Sequence, residues 1–179
     1  MAVTGRTRWI PHLIVIVLAV MALWPMSVYP GLFHRTPNTP LHLLVLEHLD
    51  AYLRGDVYDL AMVVAADWPT GRPVRVIGWP FQLMALPLVG LIGAVPALNL
   101  ALLLSLILSG VCMVWMLERM GLGVGARAIG GAAWVLNPFL IGVLSNGQYE
   151  NHVGWAFPLV WIGLARGGLR GGLILALAL

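Results

Sequence analysis

From Ala97 to Leu117 the chain carries no charge and no proline, and a helix of that length covers the roughly 30 Å hydrocarbon core of a bilayer. Hydrocarbon offers no partner to a backbone N–H or C=O, so such a run is restricted to helix. The chain as a whole points the same way, being 60% hydrophobic and only 9% charged, against about 25% charged in an ordinary soluble domain. The sequence reads as an all-α, multi-pass membrane protein.

The formal net charge of +3 comes from ten basic residues, all of them Arg. They are scattered between apolar runs rather than gathered on one face, which argues against a nucleic-acid partner and makes them topology signals. The single cysteine, Cys112, sits inside an apolar run, so there is no internal disulfide framework and no cysteine spacing for a metal.

Arg6 and Arg8 precede the first apolar run, and Trp9 and Tyr29 stand at its ends, where interfacial aromatics belong. The run is longer than a signal-peptide core and is followed by Tyr29-Pro30-Gly31 rather than a small-x-small cleavage site, so 10–29 reads as an uncleaved first span with the N-terminus in the cytoplasm. Residues 30–95 form a long external loop. Within it, 41–54 has helical periodicity: Glu47, Asp50 and Arg54 share one stripe, opposite Leu41, Val45, Leu49 and Tyr52, as expected of a helix lying on a membrane. The bland reading of that stripe is a solvated face closed by an intrahelical ion pair. His42 falls on the apolar side and reads as a packed, hydrogen-bonded histidine.

After the Trp68-Pro69-Thr70-Gly71-Arg72-Pro73 turn cluster, 77–94 is apolar but broken by Pro80, Pro87 and glycines. Further spans are expected over 97–118, 125–145 and 153–166. The 125–145 span carries the small residues Gly130, Gly131, Ala132 and Ala133 for close packing and a kink at Pro138. The segment 171–179 begins another span, and the chain reads as the N-terminal piece of something larger. If 77–94 crossed the membrane, Arg119, Arg127, Arg166 and Arg170 would all face outward; if it lies on or dips into the outer surface, all four are cytoplasmic, as the positive-inside rule requires. That choice also places the polar break 145–152, Ser-Asn-Gly-Gln-Tyr-Glu-Asn-His, on the outer face. A charge at the bilayer centre costs about 2.5 to 3.5 kcal/mol on insertion scales, so the break belongs at a surface or in a wet cavity.

The order of these parts carries a resemblance: one span, a long external loop with a surface helix, the Pro69-Thr70-Gly71 turn, a Pro-broken helix, a span ending in Glu118-Arg119, a span ending in Asn137-Pro138-Phe139, a polar break, and Phe157-Pro158-Leu159. Over nearly its whole length the chain resembles the N-terminal module of bacterial GT-C-fold membrane glycosyltransferases. The resemblance implies transfer of a sugar from a polyprenyl-phosphate donor to an acceptor at the outer face of the bacterial inner membrane.

The family places catalytic acids in two external loops. Carried onto this chain, the second position falls on Glu150-Asn151-His152: Glu150 matches a catalytic or metal-holding acid, and His152 stands where a second carboxylate is usual. The implied divalent metal is Mg or Mn, and an imidazole ligand shifts the preference away from Mg. The first position falls on Pro37-Asn38-Thr39-Pro40, where Asn38 stands in place of the usual Asp. An amide is no general base, so Asn38 is read as a substrate contact and Glu47 and Asp50 as candidate catalytic acids in its place. Arg35, Arg72 and Arg75 are candidates to steady the departing phosphate, and Gln148 to bind substrate. Two other classes stay open. A non-catalytic scaffold or lipid-handling subunit would keep the architecture with a degenerate site. A transporter would use broken helices too, but nearly all ionisable groups lie between the spans rather than within them.

Overall fold

A computed structural model describes residues 5–24, 39–56, 62–63, 72–73, 79–145 and 154–178, with the side chains of 7–24, 42–56, 82–142 and 154–174. These residues are almost wholly helical. A 3-10 turn, Gly5–Trp9, leads into α1 (Ile10–Ala22), followed by α2 (Thr39–Arg54), α3 (Trp79–Ile92), α4 (Ala94–Arg119), α5 (Val124–Val135), α6 (Pro138–Ser145), α7 (Ala156–Arg166) and α8 (Gly168–Ala178). Between α2 and α3, β1 (Met62–Val63) and β2 (Arg72–Pro73) form a minimal antiparallel pairing, with Met62 opposite Pro73 and Val63 opposite Arg72. The all-α class expected from the sequence holds apart from this pairing, which no periodicity announces because each strand is two residues long.

The helices start and stop for local reasons. Pro11 sits in the first turn of α1, where its missing N–H costs nothing. Helix α1 ends at Ala22, and the Leu23 N–H closes the end on the Ala19 carbonyl. The first apolar run, expected to be helical over 10–29, is therefore a helix over a shorter length; Pro25 follows three residues after Ala22 and disfavours helix in the residue before it, and 25–29 lies outside the described residues. The 125–145 run, expected as one kinked span, is two helices. Asn137 accepts a hydrogen bond at its Oδ1 from the Phe139 N–H at 2.8 Å and Pro138 takes the first helical position of α6, an N-cap followed by an N1 proline, which starts a new helix rather than bending the old one. Two stretches, Ala94–Arg119 and Val124–Gly142, are long and apolar enough to cross a membrane.

The chain divides into two compact units. One comprises the described parts of Met1–Trp24, Leu103–Gly142 and His152–Leu179; the other those of Pro25–Leu102 and Val143–Asn151. In the first, α1 packs on α5 and α7 on α8. Met113 and Met116 of α4 and Ile162 of α7 form a buried cluster flanked by Trp115, Trp134, Leu159, Trp161 and Ile174. Helices α7 and α8 meet through Gly167 and Gly168, whose φ values of +59° and +60° lie in the left-handed region that glycine alone enters freely. In the second unit α3 packs on α2, with Val45, Leu46 and Ala85 buried.

Much of the outward surface of the first unit is apolar, with Arg8, Arg119, Arg166 and Arg170 also exposed. Trp9, Leu13, Ile16, Val17, Met21 and Trp24 of α1 and its flanks are exposed, as are Leu104 and Leu108 of α4, Ile129, Leu136 and Phe139 along α5 and α6, and Phe157, Leu164, Leu169 and Leu173 on α7 and α8. Soluble monomers rarely leave contiguous apolar patches beyond a few hundred Å². Inside α4 the Ser109 hydroxyl is satisfied locally, donating to the Ser105 carbonyl at 2.8 Å.

Candidate functional site

Helix α2 carries the candidate acids that fall within the described residues. Glu47 is exposed. Asp50 is bound by Arg54 one turn on, with Nη2 to Oδ2 at 2.8 Å, and the same guanidinium reaches Asp56 at 3.5 Å. The ion pair is the i,i+4 arrangement that a solvated face would make, and it occupies Asp50. The buried side of α2 is formed by His42, Val45 and Leu46, while Tyr52, expected on the apolar side, is exposed.

His42 is 3% exposed and Gln82 of α3 is fully buried. The Gln82 Nε2 donates to the His42 carbonyl at 3.4 Å and lies 3.4 Å from His42 Nδ1. These are long contacts, but they tie α2 to the proline-containing α3 at a polar point inside an apolar interface. Gln82 Oε1 is buried without a partner among the described residues. His42 is thus packed and hydrogen-bonded, as its place on the apolar side of the helix implied.

The other candidates are not brought into view together. Arg72 contributes backbone to β2, and its side chain lies outside the description. Arg35, Asn38, Arg75, Gln148, Glu150 and His152 lie outside the described residues, so the implied metal pair Glu150 and His152 has no geometry here. Among the described residues no group of three or more His, Cys, Asp or Glu side chains converges.

A second polar constellation lies in the first unit. Glu118, at the end of α4, receives Arg8 from the 3-10 turn, Nε to Oε1 at 3.0 Å, and Arg127 from the start of α5, Nη1 to the same Oε1 at 3.2 Å. Arg127 is 5% exposed and its Nε has no partner among the described residues. Arg119 lies over the Trp115 ring, 5.7 Å from its centroid, a cation–π distance. At the other end of these helices, Trp134 of α5 donates its indole N–H to the Gly154 carbonyl at 3.2 Å and its ring tilts against Phe157 of α7, centroids 5.6 Å apart.

Sequence reasoning treated Arg119 and Arg127 only as topology signals and passed over His12. The signal was present: Glu118 is the one acid flanking an apolar run whose neighbouring turn begins with arginines, and His12 is a lone polar residue in an apolar helix. Compared with protein-family models, with curated proteins and with solved structures, the chain has no match.

Proposed function

We propose that the chain is a multi-pass, GT-C-like membrane glycosyltransferase module, using a lipid-phosphate sugar donor at the outer face of a bacterial inner membrane, with the N-terminus cytoplasmic. The observation that supports the membrane part is the set of exposed apolar side chains along α1, α4 and α5 to α8, with the exposed Arg119, Arg166 and Arg170 at or within a turn of a helix end. Hydrocarbon is the solvent that such a surface suits.

The pairing of Glu118 with both Arg8 and Arg127 supports the topology. It puts the residue before the first span, the end of α4 and the start of α5 at one level. That requires an even number of crossings between Arg8 and Glu118, which α1 and α4 supply if α3 does not cross. Helices α1 and α3 are of similar length, 13 and 14 residues, so the reading that α3 is the one lying at the surface rests on its proline-broken sequence, with Pro87 inside the helix, and not on length. Helix α2, with Glu47 exposed and His42 fastened to α3, then belongs to the external loop, where a carboxylate could take a proton from an acceptor hydroxyl.

Glu150→Gln in the full-length protein is expected to reduce sugar transfer from a polyprenyl-phosphate donor by at least about 100-fold, the scale of a lost general acid or base; unchanged transfer would sink the site assignment. The second reading is a non-catalytic scaffold or lipid-handling subunit. It is favoured by the Arg54 pairing of Asp50, which withdraws one candidate base, and it gives no transfer with wild type or variant alike.

A further inference from the structure

The cluster around Glu118 has more positive charge than its carboxylate neutralises. Arg8 and Arg127 both bond the same oxygen, so one positive charge is left over, and Arg119 adds another. Arg127 is enclosed, but the Arg8 side chain is 64% exposed and is bound to Glu118 through its Nε, which leaves its terminal amino groups open to a further acceptor. Trp9, next in the chain and itself exposed, begins a shallow, open depression of about 360 Å³ on one face of α1, lined by Trp9, Ile10, His12, Leu13 and Ile16.

Four of the five lining side chains are apolar or aromatic, which suits an alkyl chain. The fifth is His12, whose ring lies against Trp9 with centroids 5.7 Å apart, and whose Nδ1 is shielded from solvent without a partner among the described residues. A positive head, an apolar helix face starting one residue further on, and a shielded imidazole nitrogen beside it together match an amphiphile with an anionic head group. The place also fits, because arginines flanking a span attract anionic lipid in the cytoplasmic leaflet.

We propose that this end of the bundle binds an anionic phospholipid, its phosphate on Arg8 and one acyl chain along that face of α1. The site rests on the membrane reading above but not on the glycosyltransferase reading. A free phosphate ion shares the head-group chemistry and is separated by the test.

Native mass spectrometry of the full chain, with phosphatidylglycerol or phosphatidylcholine of identical acyl chains, reads the binding. Phosphatidylglycerol is expected to bind more tightly. Arg8→Gln should weaken it about fivefold, the effect of one arginine near an anionic surface, and weaken phosphatidylcholine, whose phosphate is offset by its own choline cation, by less; Arg8→Lys should keep the preference. Ile16→Trp, which fills the depression, should weaken phosphatidylglycerol with Arg8 intact. Equal affinity for the two lipids, or no effect of Arg8→Gln, overturns the site. Displacement of the lipid by millimolar inorganic phosphate also overturns it and leaves a plain anion site. Release of the chain from membranes by carbonate at high pH would overturn the membrane reading itself, whereas retention without lipid preference would overturn the lipid site alone.

Discussion

At the residue scale, two neighbouring glycines of α5 separate packing from composition. A Cβ on Gly131 would stand 2.6 Å from Val114 Cγ2 and 2.7 Å from Val15 Cγ1, and both obstacles are β-branched side chains with little rotamer freedom. A Cβ on Gly130 would meet only the end of the Leu117 side chain, which can turn aside. Gly131→Ala is therefore expected to destabilise by about 1 to 3 kcal/mol, the cost of overpacking, and Gly130→Ala to be near neutral because helix propensity favours alanine by about 0.5 to 1 kcal/mol. Thermal unfolding in detergent measures both, and equal effects would contradict the packing described. The two arginines on Glu118 should differ as well. Arg127→Gln removes an enclosed charged hydrogen bond and is expected to cost about 2 kcal/mol. Arg8→Gln, at an exposed side chain, should change stability by well under about 1 kcal/mol; a reversed order in the same assay would show that Arg127 is not the structural partner.

At the element scale, the sequence announced helices better than it announced their junctions. The α2 helix follows from apolar spacing without Gly or Pro over 41–53, and it is helical from Thr39 to Arg54. The α5–α6 break was half legible: Pro138 signalled a disturbance, but the Asn137 cap that turns a kink into a new helix depends on a side-chain bond that no periodicity encodes. The link between α2 and α3 was not legible, since Gln82 looks like any polar residue in an apolar run until His42 is placed beside it. Gln82→Leu should be neutral or stabilising to thermal unfolding, because it removes the buried, unpartnered Oε1 while the Nε2 contacts it gives up are long. A loss above about 1 kcal/mol would mean that Gln82 is fully satisfied in the folded protein.

For the whole molecule, the decisive prediction concerns sidedness. On a Cys112→Ala background, a cysteine at Asn146 should react with an impermeant thiol reagent added outside spheroplasts, and one at Gly168 should react only after permeabilisation; the reverse pattern would invert the topology. Sequence alone determined the all-α class and where most of the helices lie, because these follow from periodicity and from proline and glycine chemistry acting over a few residues. It did not determine which small residue meets a neighbour, that Arg8 and Glu118 pair across 110 positions, or that Gln82 reaches His42 across 40. Those are decided by tertiary structure, since a contact between distant residues depends on how whole helices pack, and local pattern is indifferent to which of several like residues ends up inside.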